Sequence, residues 1–333
     1  MAYQSIGVVG AGSWGTALAI TAALAGRDVT LWARRSEHAA TINATLANER
    51  YLPGVSVPGA IRVTSNPSDL AECDAALLAV PAQTMREVSE RFSDHLPVGC
   101  LLVSCAKGIE ISSGLLMSQL LRQTIPGRPV AVLSGPTVAG EVAQGLPSAV
   151  SLAWDQVTVA EELAKALATP GFRPYSSGDI VGIEVAGAMK NVIAIACGIV
   201  IGMGLGENAR ASLVTRGLVE IRRLAVAKGG FAPTVTSLGG IGDLMLTCAS
   251  GQSRNYQFGL EIGSGRPLSD AMGQGQTVLE GAATARSLPA VAHEYNVDLP
   301  IGLAVAQLLN GEASLDDLRE QLLGRPLSRE GGQ

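Results

Sequence analysis

The feature that most constrains the fold of this chain lies at its N-terminus, where an apolar strand runs into the glycine pattern Gly10-x-Gly12-x-x-Gly15. Gly10 permits the tight turn out of the strand, Gly12 lets the backbone approach a pyrophosphate, and Gly15 allows close packing of the next helix on the sheet. The pattern predicts a helix over residues 14–25 and a second parallel strand over residues 28–33. In this context we expect a dinucleotide site, with the pyrophosphate facing the N-terminus of the helix.

The end of the second predicted strand bears on which dinucleotide binds. Units specific for NAD usually place an Asp or Glu there for the ribose hydroxyl. Here the residues are Arg34 and Arg35, and the first acid is Glu37. A pair of guanidiniums suits a 2′-phosphate by charge and by fork geometry, which favours NADPH over NADH as the cofactor. The alternative interpretation is a solvated start of the next helix.

Length and charge limit the class of protein. The chain has 333 residues, of which 47% are hydrophobic and 16% charged, and this is enough for two domains with sizeable cores. The net charge of −5 argues against nonspecific binding of nucleic acid. His38, His95 and His293 lack the spacing of metal ligands, so we expect no metal.

Cysteine usage and hydropathy favour the cytoplasm. The five cysteines lie mostly in apolar runs and form no Cys-x-x-Cys, as is typical of reduced core thiols. No charged segment followed by an apolar one precedes the glycine pattern, so we expect no signal peptide. The apolar run 192–205 is too short and too rich in glycine for a membrane span. We interpret it as a buried helix and expect no stable membrane insertion.

Apolar, β-rich segments alternate with helical ones through the first half of the chain. The strands predicted after residue 33 are 61–63, 75–80, 101–104, 130–133, 149–153 and a short closing strand at 172–175. This alternation predicts a Rossmann-type, doubly wound α/β sheet rich in parallel strands. From about residue 178 the apolar spacing becomes helical. We therefore predict a dinucleotide-binding domain over 1–180, an all-helical substrate-binding domain over 181–326 and a disordered tail over 327–333.

Polar residues that directly follow parallel strands are the first candidates for chemistry, because ligands gather beyond the carboxyl ends of such strands. Lys107 follows the strand 101–104, and Gly135 and Thr137 follow the strand 130–133. A lysine there can meet an anionic substrate or a carbonyl oxygen, and the Gly-Pro-Thr turn offers backbone N–H groups and a hydroxyl. For Lys107 alone, an exposed surface lysine is an equally good interpretation.

Lys190 stands out because its helical neighbours three and four residues away are all apolar or glycine. With no local acid to pair with, a lysine in so apolar a helix either lines a cavity or meets a distant carboxylate. Our candidate for that carboxylate is Asp243, which follows a glycine-rich segment and precedes a predicted helix. Capping of that helix is the alternative interpretation of Asp243.

Two further polar segments leave alternatives open. Ser253, Arg254 and Asn255 offer three donors in a row, which suits a phosphate group, and a solvated helix start explains the segment equally well. Glu280 is either a capping or surface acid or a contact to the cofactor.

Taken together, these segments resemble the bacterial NAD(P)-dependent glycerol-3-phosphate dehydrogenase family over nearly the whole chain. The resemblance rests on the motifs Gly10–Gly15, Ala106–Glu110, Leu133–Thr137, Lys190–Asn191, Gly239–Leu244 and Ser253–Asn255. Several independent motifs in one order make coincidence a poor explanation. The resemblance implies that the chain reduces dihydroxyacetone phosphate to sn-glycerol 3-phosphate for phospholipid synthesis.

The resemblance also implies roles for individual residues. Contacts to the dinucleotide would come from Ser13, Trp14, Arg34, Arg35, Ala139, Val278 and Glu280. The substrate would be held by Gly135, Thr137, Ser253, Arg254 and Asn255. Arg254 would touch both ligands, and Lys107 would lie between cofactor and substrate. Lys190 would be the proton donor and acceptor, with Asp243 as its charged partner at the substrate.

The reduction of a ketone sets a requirement on Lys190. Hydride transfer to C2 of dihydroxyacetone phosphate builds charge on the carbonyl oxygen, which needs a nearby cation and a proton. A free lysine has a pKa of about 10.4, so burial and the charge of Lys107 would need to lower the pKa of Lys190 toward roughly 7–8. The charge of Asp243 would oppose that change.

Two other functions stay open on the sequence. A β-hydroxyacid dehydrogenase also joins a dinucleotide fold to a helical domain and uses a lysine, but it would act on a carboxylate. A redox-sensing protein that binds NAD(P) and changes partners would have no need of Lys190, Asp243 and Arg254 together. The sequence also leaves the assembly open, with a homodimer as one option.

Overall fold

A computed structural model describes residues 3–272 and 279–323 of the chain. Val278 and the predicted tail over 327–333 lie outside the described residues. The described strands are β1 (Ser5–Val9), β2 (Asp28–Trp32), β3 (Ala47–Asn48), β4 (Leu52–Ser56), β5 (Arg62–Thr64), β6 (Ala75–Leu78), β7 (Leu101–Ser104), β8 (Val130–Ser134), β9 (Ser148–Ala153) and β10 (Phe172–Ser177).

Eight of these strands form one sheet in the order β10-β9-β8-β7-β6-β1-β2-β5. All neighbours pair in parallel except β8 and β9, which pair antiparallel. The strand order reverses beside β1, so the carboxyl ends of β1 and β6 flank the crevice where such sheets bind ligands. The predicted α/β sheet rich in parallel strands is confirmed.

Helices cover the sheet and make up the rest of the described chain. Those between the strands are α1 (Ser13–Leu24), α2 (Ser36–Thr45), α3 (Met85–Phe92), α4 (Met117–Thr124), α5 (Ala139–Ala143) and α6 (Val157–Leu167). Those after the sheet are α7 (Ile180–Gly202), α8 (Gly206–Ala227), α9 (Asp243–Ala249), α10 (Arg254–Gly263), α11 (Leu268–Ala271), α12 (Glu280–Tyr295), α13 (Pro300–Leu309) and α14 (Leu315–Leu323). Within the described ranges, no strand follows Ser177, in keeping with the predicted helical C-terminal region.

A small hairpin of β3 and β4 was not predicted from the sequence. Strand β3 has only two residues, and β4 contains Pro53 and Gly54, two residue types that weaken a strand pattern. The hairpin nevertheless fixes the turn between residues 48 and 52 against the end of α2, because Val57 N donates to Leu46 O at 2.8 Å.

Helix α7 is the centre of the helical core. It is long and apolar enough to cross a membrane, but 89% of its most apolar window is buried inside the protein, as is typical of a core helix. Ile109 and Leu116, which follow β7, are fully buried in this same core. Glu184 of α7 accepts hydrogen bonds from the backbone N–H (2.8 Å) and the hydroxyl of Ser118 at the start of α4. The segment after Lys107 is therefore fixed to the helical part of the chain.

Helices α7 and α10 approach each other along a seam of four glycines, Gly198 and Gly202 on α7 and Gly259 and Gly263 on α10. A Cβ on Gly198 would lie 2.1 Å from Tyr256 O, and a Cβ on Gly259 would lie 2.1 Å from Ile195 O. Only glycine allows two backbones to come this close. The seam sets the distance between α7, which carries Lys190, and the N-terminus of α10, which carries Arg254.

We expect Gly198→Ala to lower the free energy of unfolding by about 2 kcal/mol or more, because the added methyl forces α7 and α10 apart. Gly140→Ala is the matched control, since a Cβ on Gly140 in α5 meets no atom within 4 Å. Urea denaturation followed by circular dichroism measures both variants. If Gly198→Ala and Gly140→Ala have equal free energies of unfolding, α7 and α10 can move apart without a loss of stability, and the interpretation of the seam as a tight contact is wrong.

Candidate active site

The glycine loop after β1 has the shape that a dinucleotide requires. Gly10 has a φ of +112°, and a Cβ on Gly15 would lie 1.8 Å from Gly10 O, so neither position accepts a side chain. A Cβ on Gly12 would meet no atom within 4 Å, which leaves open space before the first turn of α1. The indole Nε1 of Trp14 is buried and has no hydrogen-bond partner among residues 3–272 and 279–323. These features fit a bound pyrophosphate at the helix N-terminus.

The other predicted cofactor contacts lie around this loop. Ser13 is the first residue of α1, and Arg34 and Arg35 follow β2 with exposed side chains. Ala139 begins α5 and packs against the core that α1 shares. Val278 lies outside the described residues, so its predicted contact stays a prediction.

Three charged side chains from distant parts of the chain meet at the carboxyl ends of the strands. Both carboxylate oxygens of Asp243 accept hydrogen bonds from lysines, Oδ1 from Lys190 and Oδ2 from Lys107 at 2.6 Å. The side chain of Asp243 is fully buried, and those of Lys190 and Lys107 are 8% and 16% exposed. Asp243 is the first residue of α9, and the N-cap position is Gly242. The carboxylate of Asp243 therefore pairs with the two lysines and does not cap the helix.

Glycines bring these three groups together. Lys107 reaches α7 beside Gly187, where a Cβ would lie 3.6 Å from Lys107 Cγ and 2.9 Å from Ser134 Oγ. Asp243 follows the irregular turn Leu238–Gly242, in which Gly240 departs from helical φ and ψ and would place a Cβ 2.2 Å from Val235 O. The glycine-rich sequence before Asp243 is thus what allows its carboxylate to turn toward α7.

Each lysine keeps one donor for a ligand. Lys190 Nζ donates to Asp243 and to Thr247 Oγ1 at 2.8 Å, and Lys107 Nζ donates to Asp243 and to Gly135 O at 2.9 Å. An ammonium has three N–H groups, so one remains on each. With both lysines protonated the cluster carries a net charge of +1, which favours an anion or a developing oxyanion.

The pKa of Lys190 is lowered from 10.5 to about 8. Burial is the main cause, because it penalises the charged form, and the charge of Lys107 lowers the pKa further. The charge of Asp243 and its hydrogen bond raise the pKa and so oppose the other two effects. A lysine with a pKa near 8 can give up and regain a proton near neutral pH.

Glu280 connects the start of α12 with the loop after β6. Its Oε1 accepts a hydrogen bond from Ala82 N at 3.0 Å, and its Oε2 is buried with no partner in the described part of the chain. Burial raises the pKa of Glu280 to about 7, opposed by the Ala82 N–H and by the charge of Arg254. An unpaired carboxyl oxygen in this position fits a contact to the ribose or amide of a bound dinucleotide.

The residues predicted to hold the substrate lie in two groups, one next to Lys107 and one at the start of α10. Thr137 Oγ1 donates to Gly135 O at 3.2 Å, next to Lys107. At the start of α10, Ser253 caps the helix, because its Oγ accepts a hydrogen bond from Tyr256 N at 3.2 Å, and Arg254 follows with an exposed side chain. The cap agrees with the alternative of a helix start for Ser253 and leaves Arg254 available for a phosphate.

Two residues of the site, Thr247 and Asn191, were assigned no role from the sequence. Thr247 donates to Asp243 O at 2.6 Å and accepts from Lys190, and its position one turn after Asp243 was a usable signal. Asn191 Oδ1 accepts from Asn255 Nδ2 at 3.0 Å, and Asn255 Oδ1 in turn accepts from Gly281 N at 3.1 Å. The position of Asn191 directly after Lys190 does not predict its hydrogen bond to Asn255, because that bond depends on where α10 and α12 pack.

The described residues contain no group of three or more His, Cys, Asp or Glu side chains that could hold a metal ion. All five cysteines are free and buried.

Family models match both parts of the chain. The N-terminal model of NAD-dependent glycerol-3-phosphate dehydrogenase matches residues 5–160, and the C-terminal model matches residues 179–320. The chain is 50% identical over 328 residues to glycerol-3-phosphate dehydrogenase (NAD(P)+) of Maricaulis maris, covering 98% of each chain. It is 47% identical over 330 residues to the protein of the same name from Caulobacter vibrioides, covering 99% of this chain and 100% of that one.

Solved structures give the same family and a wider fold group. A crystal structure of glycerol-3-phosphate dehydrogenase from Coxiella burnetii superimposes with a TM-score of 0.92 at 36% identity, covering 98% of this chain and 100% of that chain. A ketopantoate reductase from Ralstonia eutropha gives a TM-score of 0.62 at 17% identity, covering 95% of this chain and 99% of that chain. The second likeness concerns the fold alone.

We expect Asp243→Asn to destabilise the protein by about 3 kcal/mol at pH 7, because it leaves buried lysine charge without its partner. The pKa of Lys190 should then fall below 8, since the charge of Asp243 no longer raises it. Above pH 8 Lys190 is neutral in the folded wild type and in the folded variant. The loss of unfolding free energy caused by Asp243→Asn should therefore be smaller at pH 9 than at pH 7.

Urea denaturation at pH 7 and pH 9 tests this expectation. The control is Asp155→Asn, which removes an exposed ion pair with Arg122 and should cost no more than about 1 kcal/mol at either pH. An Asp243→Asn loss that is the same at both pH values would mean that Lys190 does not titrate in this range.

Proposed function

The chain belongs to the NAD-dependent glycerol-3-phosphate dehydrogenase family, and we propose that it reversibly reduces dihydroxyacetone phosphate to sn-glycerol 3-phosphate with NADPH. It is an NAD(P)-dependent oxidoreductase. The observation that carries the proposed chemistry is the buried cluster of Lys190, Asp243 and Lys107. We further propose that the enzyme works in the cytoplasm and supplies glycerophospholipid synthesis, and that a homodimer is its assembly.

The substrate phosphate would lie between the two polar groups that flank the cluster. Arg254 would supply a charge-assisted hydrogen bond, and Ser253, Asn255, Gly135 and Thr137 would supply further contacts. Asn255 is held in place through both ends of its amide, which pair with Asn191 and Gly281. A phosphate in this place would bring the carbonyl of a three-carbon substrate toward Lys190.

Lys190 would act on the carbonyl oxygen. When bound, NAD(P)H supplies the hydride that C2 accepts. The remaining N–H of Lys190 would hold the oxygen as its negative charge develops and then give it the proton, and in the reverse reaction neutral Lys190 would take the proton from the alcohol. Asp243 and Thr247 would fix the direction of the ammonium, and Lys107 would stabilise the charge from the other side.

One comparison of substrates separates the proposed function from its rivals. NADPH oxidation by the purified protein should require dihydroxyacetone phosphate and should be absent with 3-oxo- or 2-oxo-carboxylates. Activity with a carboxylate substrate instead would point to the β-hydroxyacid dehydrogenase reaction. NADPH binding without turnover of any of these substrates would favour the redox sensor.

We expect Lys190→Met to leave a folded protein with near-normal NADPH affinity and a turnover number reduced at least about 10²-fold, because methionine keeps most of the apolar stem but offers no proton. The wild-type rate of reduction should fall above pH 8, where Lys190 loses its proton, and the variant should not show that fall. Steady-state rates between pH 6 and 10 measure both effects. Lys165→Met, on the exposed face of α6, is the control. Normal turnover by Lys190→Met would assign the proton to another group.

We expect Arg254→Ala to raise KM for dihydroxyacetone phosphate by at least about 10-fold, because a charge-assisted bond to the phosphate is lost. Arg266→Ala, near the exposed end of α10, is the control for a lost surface arginine. Initial rates over a range of substrate concentrations give KM and kcat separately. If KM and kcat are both unchanged, Arg254 belongs to a solvated helix start and not to the substrate site.

A further inference from the structure

A groove of about 380 Å³ runs between α2 and the turn that joins β3 to β4. Its lining includes Arg35 at the start of α2, His38 one turn further, and Arg50 from the turn. Two guanidiniums from different elements therefore border one groove. The sequence analysis treated Arg34 and Arg35 as a pair and did not consider Arg50, because the hairpin that carries it was not predicted.

The turn that carries Arg50 is tied to the glycine loop by Asn48, which is only 1% exposed. The amide nitrogen of Asn48 donates to Ala11 O at 3.1 Å and to Thr16 Oγ1 at 2.8 Å. Because an amide oxygen can only accept, His38 Nε2 is the donor in its hydrogen bond of 2.9 Å to Asn48 Oδ1. Ala11 lies between Gly10 and Gly12, so the groove adjoins the loop that fits the pyrophosphate.

The Arg50 guanidinium is held by an aromatic stack. The Tyr51 ring stacks on the His38 ring with centroids 5.3 Å apart and planes at 20°. Arg50 Cζ lies 5.4 Å from the centroid of the Tyr51 ring. A guanidinium stacked on an aromatic face keeps its N–H edges available for an anion in the ring plane.

We propose that Arg50 determines cofactor specificity by holding the 2′-phosphate of NADPH together with Arg35 across the groove. This inference rests on the proposed use of NADPH. The chain direction supports it, because the 2′-phosphate of a dinucleotide bound at the first strand lies just beyond the end of the second strand, where Arg35 begins α2.

The charges of the groove explain why Arg50 matters. Glu37 and Glu49 also line it, so Arg35 alone faces two carboxylates. With Arg50 the four side chains sum to zero, and without Arg50 they sum to −1. A negative groove repels a phosphate but can still accept hydrogen bonds from a ribose 2′-hydroxyl. The loss of Arg50 should therefore weaken the binding of a 2′-phosphate and spare the unphosphorylated ribose.

Calorimetric titration with 2′,5′-ADP and with 5′-AMP tests the proposal, since the two probes differ only in the 2′-phosphate and neither reacts. We expect Arg50→Ala to weaken the binding of 2′,5′-ADP at least about 10-fold and to change the binding of 5′-AMP less than about 2-fold. Arg50→Lys, which keeps the charge without the fork, should fall between wild type and Arg50→Ala. Arg35→Ala should weaken 2′,5′-ADP in the same selective way.

Arg173→Ala is the matched control. Arg173 is an exposed arginine on β10, at the opposite edge of the sheet, so its loss changes the net charge equally without touching the groove. Equal weakening of both probes by Arg50→Ala, or no change in either, would overturn the proposal.

The proposed reaction is tested separately. Selective weakening of 2′,5′-ADP in a protein that does not reduce dihydroxyacetone phosphate would support the phosphate site and refute the proposed reaction. If the protein reduces dihydroxyacetone phosphate but Arg50→Ala weakens both probes equally, the proposed reaction is supported and the phosphate site is refuted.

Discussion

The interaction on which the rest of the site depends is the buried contact between Asp243 and two lysines. A carboxylate with no exposure to water is costly unless it is paired and fully hydrogen-bonded, and Asp243 meets this condition only when Lys190 and Lys107 are both in place. The cluster therefore joins the end of β7, the middle of α7 and the start of α9. A small displacement of any of the three would leave a charge unpaired, so the pairing constrains how the sheet and the helical core fit together.

Helix α7 is the element that makes this pairing geometrically possible. It is buried along almost its whole length, which fixes its position, and its glycines let other backbones approach it. Gly187 admits Lys107 and the end of β8, and the Gly198 seam admits α10 with Arg254 at its N-terminus. The same helix therefore carries Lys190 and sets the distances to groups on both sides of it.

The start of α12 links the proposed cofactor side of the site to the proposed substrate side. Glu280 pairs with Ala82 after β6, and the next residue, Gly281, donates to Asn255 on α10. A shift of α12 would thus displace both the loop after β6 and the residues at the start of α10 that would hold the phosphate. Two neighbouring residues at the start of one helix thus hold the loop after β6 and the start of α10 in place relative to each other.

Some of this could be predicted from the sequence, and the rest could not. The glycine fingerprint, the alternation of strands and helices, and the isolation of Lys190 on an apolar helix are local patterns, and local patterns depend on residues within a few turns or strands of each other. The sequence by itself thus determined the class of fold, the dinucleotide loop and the need of Lys190 for a distant acid. Tertiary structure decided which groups share Asp243, because Lys190 and Lys107 are 53 and 136 positions away from it. It also decided the pKa of Lys190, the unpaired oxygen of Glu280 and the meeting of Arg35 with Arg50, since burial and distance across the fold are set by packing and leave no mark on the spacing of residues along the chain.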